Sequence, residues 1–227
     1  MGDIRKSIGW SDWSFNPVFG CLNKCPYCYA KKISYRLASQ FSKIYKVHKD
    51  VFKAFTPVWL WGNFNKPIPD YVTHVFVNSM SDVAYWEQEW LSRVADLAIQ
   101  EYPNKKFLFL TKCYRECCEN FVLYNEPLNF YYGATITCDA DLEKFVGSFK
   151  FDFVSIEPIH QRINVKFLKE FKQVIVGAET GNRKGKVVPA AEWVEEIREF
   201  CQANNIKLFE KDSLKKIVKR SLVQQRL

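Results

Sequence analysis

The 227-residue chain has no apolar run near the roughly 18–20 residues that a membrane helix needs. Its first ten residues, MGDIRKSIGW, lack the apolar stretch of a signal peptide, which predicts a cytoplasmic protein with no membrane partner. No internal repeat, low-complexity tract or obvious linker interrupts it, so one domain over 1–227 is expected. Wholesale disorder is excluded too, because 48% of the residues are hydrophobic and 26% charged, the balance of a globular chain. Positive charge is in excess: the formal charge is +8 and the pI is near 9.0, which favours acidic partners without naming one. Aromatics reach 16%, suiting either a bulky core or a surface on which bases stack.

Eight cysteines are the odd feature. A reducing compartment and this chain length argue against a disulfide framework and for metal binding or redox chemistry. Cys21, Cys25 and Cys28 crowd together, while Cys113, Cys117, Cys118, Cys138 and Cys201 are scattered.

Strand-like runs at 14–18, 72–78, 106–111, 131–137, 153–157, 174–177 and 207–209 alternate with amphipathic segments at 30–41, 87–102, 115–123, 140–149, 165–171 and 190–204. Within 87–102, Trp90, Val94, Leu97, Ala98 and Glu101 recur every three to four residues, as in a helix packed on a sheet. Pro189 stands where a helix would start, and Asp139 can cap the helix after Thr137. Runs such as VFVN, FLFL and VIVG are apolar throughout, which is how parallel strands covered on both faces read. Six or seven such strands fall short of a full eight-stranded barrel. The expectation is therefore an α/β fold, a partial (β/α)6-type TIM-like barrel with parallel strands.

In such folds chemistry collects at the carboxyl ends of the strands. Those ends place Ser79, Ser81, Asp82, Lys112, Thr135, Thr137, Glu157, Glu179 and Lys211 around one mouth. Residues 55–70, with three prolines and two tryptophans, read as a lid or crossover. The segment 207–227 carries seven Lys/Arg against Glu210 and Asp212 and reads as a solvated amphipathic helix or a nucleic-acid contact.

The most specific signal follows the first strand. Cys21, Cys25 and Cys28 have the spacing C-x3-C-x2-C, and three thiolates within eight residues suit three irons of a [4Fe–4S] cube. The fourth iron then stays open to a small molecule. Zinc would seek a fourth protein ligand, and neither His48 nor the other cysteines stand at zinc-finger spacing.

This spacing, with Tyr27 ahead of the last cysteine, resembles the radical S-adenosylmethionine (SAM) superfamily. The wider pattern resembles a small phage- and prokaryote-associated branch of it. The matching stretches are Asn16-Pro17 through Gly20-Cys21, Cys25 to Ala30, Ser79 to Asp82, Leu110 to Lys112, Ser155 to Pro158 and Gly177 to Gly181. Spore photoproduct lyase is a more distant likeness, through the cysteine spacing and the Thr-Lys strand end.

The resemblance implies a [4Fe–4S] cluster on the three cysteines, with SAM bound through its amino and carboxylate groups. Reductive cleavage of SAM would give a 5′-deoxyadenosyl radical that abstracts hydrogen from substrate. Lys112, closing an apolar strand, would pair the SAM carboxylate or else snorkel to solvent. Ser79, Ser81 and Asp82 stand where many relatives hold the SAM amino group with a Gly-Gly-Glu stretch. Asp82 can equally cap the next helix. Thr135 and Thr137 would meet the ribose or serve only as strand residues, and the backbone at Tyr27 would meet adenine.

Glu157 and Glu179 end adjacent strands. Either their repulsion raises one pKa for proton transfer or amine binding, or they pair with Arg162, Arg183 or Lys211. Cys138 or Cys113 would return hydrogen to a substrate radical or simply pack. Cys113, Cys117 and Cys118 could also mark a second cluster, and Cys201 reads as core. The expected partners are DNA or a nucleotide, with a thymine-type base flipped out for rearrangement or repair, and an electron donor such as flavodoxin or ferredoxin. The compartment would be the host cytoplasm for a phage-encoded protein. The alternatives are a radical SAM enzyme of a peptide or small metabolite, or a non-catalytic Fe–S or zinc protein that binds nucleic acid.

Overall fold

The computed structural model describes residues 8–113, 127–145 and 150–227. The helix expected at 115–123, the end of the one expected at 140–149, Cys117 and Cys118 lie outside the described residues. The fold class is α/β with parallel strands, of the partial TIM-like barrel type that the alternation predicts. The chain forms two compact units, Ser11–Phe130 and Tyr131–Leu227 with Met1–Trp10.

The unit Ser11–Phe130 begins with β1 (Trp13–Ser14) and β2 (Val18–Phe19). The expected single strand at 14–18 is broken because Asn16-Pro17 intervenes and proline has no N–H to donate to a ladder. Helices α1 (Tyr29–Arg36), α2 (Ala38–Tyr45) and α3 (Lys49–Ala54) follow, then β3 (Val58–Trp59) and α4 (Trp61–Phe64). The single helix expected at 30–41 divides at Leu37, whose backbone leaves the helical region at φ −101° and ψ 12°. Residues 55–70 are not a bare lid: β3 pairs antiparallel with β2, and Phe55, Leu60 and Ile68 are buried.

β4 (His74–Phe76), α5 (Gln88–Gln100) and β5 (Lys106–Thr111) complete this unit. β1, β4 and β5 lie side by side in parallel, Val75 facing both Trp13 and Phe107. The buried stripe of α5 is Leu91, Val94, Ala95 and Ala98, the spacing of one helix face, while Glu101 falls at the C-cap. Beneath α1 to α3 lies a separate apolar cluster in which Phe19 meets Phe41 and Phe52 edge-on, with centroids 5.4 and 6.5 Å away.

The unit Tyr131–Leu227 carries β6 (Phe130–Ile136), α6 (Asp139–Leu142), β7 (Phe153–Ile156), β8 (Gln173–Val176), α7 (Ala191–Ala203), β9 (Lys207–Glu210) and α8 (Lys215–Val218). Its strands pair in parallel in chain order, β6 to β9, and every residue of β7 and β8 is buried. Cys201 belongs to its core with Val194 and Ile197, as expected. Two expectations need correction. Residues 165–170 form a 3-10 helix, and Asp139 is not the cap: Cys138 occupies that position, while Asp139 accepts from the Asn164 amide at 2.9 Å.

Residues 207–227 are not one solvated helix. After β9 the chain makes a 3-10 turn and the short α8, then returns so that Gln224 bridges Phe209.

Candidate functional site

Gly20 ends β2 at φ +103°, its N–H donating to the Met80 carbonyl at 3.0 Å. A Cβ at Gly20 would collide with the Thr56 carbonyl, so both backbone angle and space require glycine here. The next amide, of Cys21, donates to the Phe55 carbonyl at 2.9 Å. From there the loop alternates: Cys21, Asn23 and Cys25 are half-buried, and Leu22, Lys24 and Pro26 are exposed. Cys28 is the N-cap of α1.

Two sulfurs already accept amide hydrogens: Asn23 N–H donates to Cys21 Sγ and Lys31 N–H to Cys28 Sγ, each at 3.3 Å. The bond to Cys21 Sγ favours its thiolate, the form that binds metal. Without metal, burial pushes the Cys21 thiol up to about 12, helped by Asp82 and the other two sulfurs and opposed by the Asn23 amide. Burial also raises Cys25, against the pull of the Lys112 ammonium and a hydrogen bond with Tyr27.

Asp82 fastens the loop. One carboxylate oxygen accepts from Ala84 N at 3.1 Å and Thr111 Oγ1 at 2.8 Å; the other accepts from Asn23 Nδ2 at 2.9 Å and Lys112 N at 3.0 Å. Asp82 caps the 3-10 turn Val83–Tyr85 through the bond from Ala84 N. Four donors fill its acceptor sites and oppose the burial that raises its pKa. Asn23 is held from its other side, Oδ1 accepting from Tyr85 Oη at 2.9 Å and Cys113 Sγ at 3.1 Å.

The remaining candidates in this unit surround the loop. Lys112 is half-buried, its ammonium 5.8 Å from the centre of the Tyr27 ring. Ser79 Oγ donates to Asn16 Oδ1 at 3.0 Å, and Ser81 Oγ accepts from Trp86 Nε1 at 3.1 Å. Cys21, Cys25, Cys28, Tyr27, Asp82 and Lys112 are thus brought together, with Ser79 and Ser81 beside them.

Among the described residues no three or more His, Cys, Asp or Glu side chains form a group that could hold a metal ion. The three cysteines nonetheless share one loop, with amide donors on two of the sulfurs, and thiolates with such donors are the ligands of iron–sulfur clusters.

The other candidates lie in the unit Tyr131–Leu227. Thr135 is buried in β6 opposite Ser155. Thr137 donates through its hydroxyl and its amide to Asp141 Oδ2, at 2.9 and 2.8 Å, and these bonds with Lys144 lower the Asp141 pKa despite its partial burial. Cys138 is half-buried.

Glu157 pairs with Lys211, and Gly177 makes room for that pair, since a Cβ there would stand 3.0 Å from Lys211 Cδ. Glu179 takes two bonds of 2.7 Å from the Arg183 guanidinium and lies 3.8 Å from His160. The ion-pair reading therefore holds for both carboxylates, and a raised pKa is corrected at Glu179, where Arg183 lowers it. Arg162 pairs with Glu196 instead.

Sequence reasoning missed Asn23 and Tyr85, which pin the loop, and Asn16, whose Oδ1 accepts from Ser79 Oγ and Met80 N. An asparagine before the proline of a broken strand, and another between two cysteines, were the available signals.

The chain is therefore an α/β protein of parallel strands with a three-cysteine loop fastened by a buried carboxylate. It belongs to the DUF5131 family, described as a protein of unknown function, which matches residues 5–221. No curated protein and no solved structure matches it. No helix among the described residues is long and apolar enough to cross a membrane.

Proposed function

We propose that the chain is a radical SAM enzyme holding a [4Fe–4S] cluster on Cys21, Cys25 and Cys28. Its substrate in this reading is a thymine-type base in phage DNA undergoing rearrangement or repair. The observation that carries the reading is the loop itself: three thiols on one short turn, amide donors on two of them, and Lys112 at the adjoining strand end. When bound, the cluster supplies the electron that splits SAM into methionine and a 5′-deoxyadenosyl radical able to take hydrogen from an unactivated C–H bond.

The chain's own residues bind and orient. Lys112, at the strand end beside Tyr27 of the loop, pairs the SAM carboxylate. Ser79 and Ser81 serve its amino group and the Tyr27 backbone meets adenine. Asp82, its acceptor sites filled, holds the loop.

Thr135 and Thr137 serve the ribose. Thr137 has given its hydroxyl hydrogen to Asp141, so it meets a ribose hydroxyl as acceptor only. Glu179, held ionised by Arg183, suits binding of a cationic group and not proton donation. Glu157 is its neighbour in this role, and Cys138 is the thiol assigned to return a hydrogen atom. A flavodoxin- or ferredoxin-type donor supplies the electron.

The test is anaerobic reconstitution with iron and sulfide, followed by dithionite and SAM, with 5′-deoxyadenosine measured by mass spectrometry. Wild type should form it and Cys25→Ala should not. A fully loaded cluster without SAM cleavage, or zinc in place of iron, would sink the assignment and favour a non-catalytic metal protein.

A further inference from the structure

From Trp13 to Lys49 the chain carries seven Lys or Arg and no Asp or Glu. That stretch contains all three cysteines of the loop. Every one of the seven cations is exposed. None of them takes part in any of the ion pairs among the described residues.

Lys24 stands on the outer side of the cysteine loop, and α1 turns Lys31, Lys32 and Arg36 to solvent while burying Ala30 and Ser34. Tyr35 lies on the same exposed helix face with 64% of its surface open. Lys43, Lys46 and Lys49 extend the run along α2 into α3.

Exposed cations left without internal partners draw a polyanion, because each phosphate they neutralise releases condensed counterions. A protein partner fits less well, since lysine is depleted from the cores of protein interfaces and this face is mostly lysine. Basic side chains along one helix face with an aromatic among them match a nucleic-acid footprint.

We propose that the outer face of the cysteine loop and α1 binds nucleic acid, with Lys24, Lys31, Lys32 and Arg36 contacting backbone phosphates. This deepens the reading of a DNA substrate given above, but binding itself needs no cluster. The tail 207–227, the other basic segment, offers fewer such cations: Lys211, Lys215 and Arg220 are engaged by Glu157, Asp212, Glu195 and Glu210, and Lys207, Lys216 and Lys219 are exposed outside the ion pairs of the described residues.

The experiment is fluorescence anisotropy of the full chain with a labelled DNA duplex and the matching single strand, titrated over a range of salt. Four phosphate contacts predict a log–log salt slope between about −3 and −4 on duplex. The triple variant K31Q/K32Q/R36Q should bind at least about 10-fold more weakly and lose about three from that slope. Glutamine is a good helix former at these exposed positions, and an unchanged circular dichroism melt establishes that the variant folds. The tail control K216Q/K219Q should stay within about twofold of wild type.

A triple variant that binds DNA like wild type overturns the proposal. So does a tail variant that loses the binding instead. Absent DNA binding, with an acidic electron carrier bound by wild type and not by the triple variant, assigns the face to a protein and also overturns it. Dithionite-driven 5′-deoxyadenosine formation should be unchanged in the triple variant. Its absence in wild type would remove the proposed activity and leave the binding result standing.

Discussion

The segments 13–49 and 207–227 each carry seven Lys or Arg, yet only in the tail are some of these charges paired among the described residues. In the tail, Arg220 reaches across to Glu195 on α7 and grips both oxygens of Glu210, which is fully buried. Lys211 goes to Glu157, and Lys215 to Asp212. In the earlier segment no acid lies within the stretch, and none of its Lys or Arg takes part in an ion pair among the described residues. Net charge read from sequence therefore says little about which charges remain available. The partner is set by tertiary structure, and Glu157 lies 54 positions from the lysine it neutralises.

The comparison breaks or sharpens on four measurements. The largest effect is expected at Arg220→Met, which leaves the Glu210 carboxylate buried and unpaired and should cost about 3–5 kcal/mol in urea unfolding. A loss under about 1 kcal/mol would mean that the tail charges are as free as those at 13–49. Next comes Asp82→Asn, which turns an amide N–H₂ toward one pair of its donors. A loss of about 2–3 kcal/mol is expected from the melting curve, with the Cys21 thiol reacting faster as the loop loosens.

Smaller again is the pH response. Arg183 and Arg220 lower the pKa values of Glu179 and Glu195 below those of free carboxyls. The stability they contribute is complete above the unfolded value, about 4.3, and is lost as pH falls through the folded one. The urea midpoint should hold from pH 7 to pH 5 and drop below that, less steeply in Glu179→Gln. The smallest effect belongs to K31Q/K32Q, whose unfolding should stay within about 0.5 kcal/mol of wild type. A larger loss would reveal partners for these lysines.

Much of the architecture is legible from short-range pattern. The apolar run FLFL falls within β5 and the first three residues of VIVG within β8, and the 3–4 spacing of 87–102 marks α5. The errors are local too: Asn16-Pro17 divides the first strand between two partners, and Leu37 splits a helix that amphipathic spacing makes continuous. The cysteine spacing is visible by eye. What fastens it is not, because Asn23 and Asp82 stand 59 positions apart and nothing in either neighbourhood names the other. The cap at Asp82 can be read from the sequence, but its bonds from Asn23, Thr111 and the Lys112 amide cannot. The same holds at Glu179, where the choice between a repelled carboxyl and a paired one turns on Arg183 folding back four residues.

The shape of the cysteine loop rests on a glycine angle, an asparagine and a carboxylate, all of them contacts within the chain. Small metal-nucleated domains gain their fold from the ion and lose it to a chelator. Here the loop is held by contacts within the chain. In the reading proposed above, a cluster on the three sulfurs could then be withdrawn and supplied again without the surrounding structure being rebuilt, so stripping and reloading should trace one reversible curve, with the same melting profile before and after.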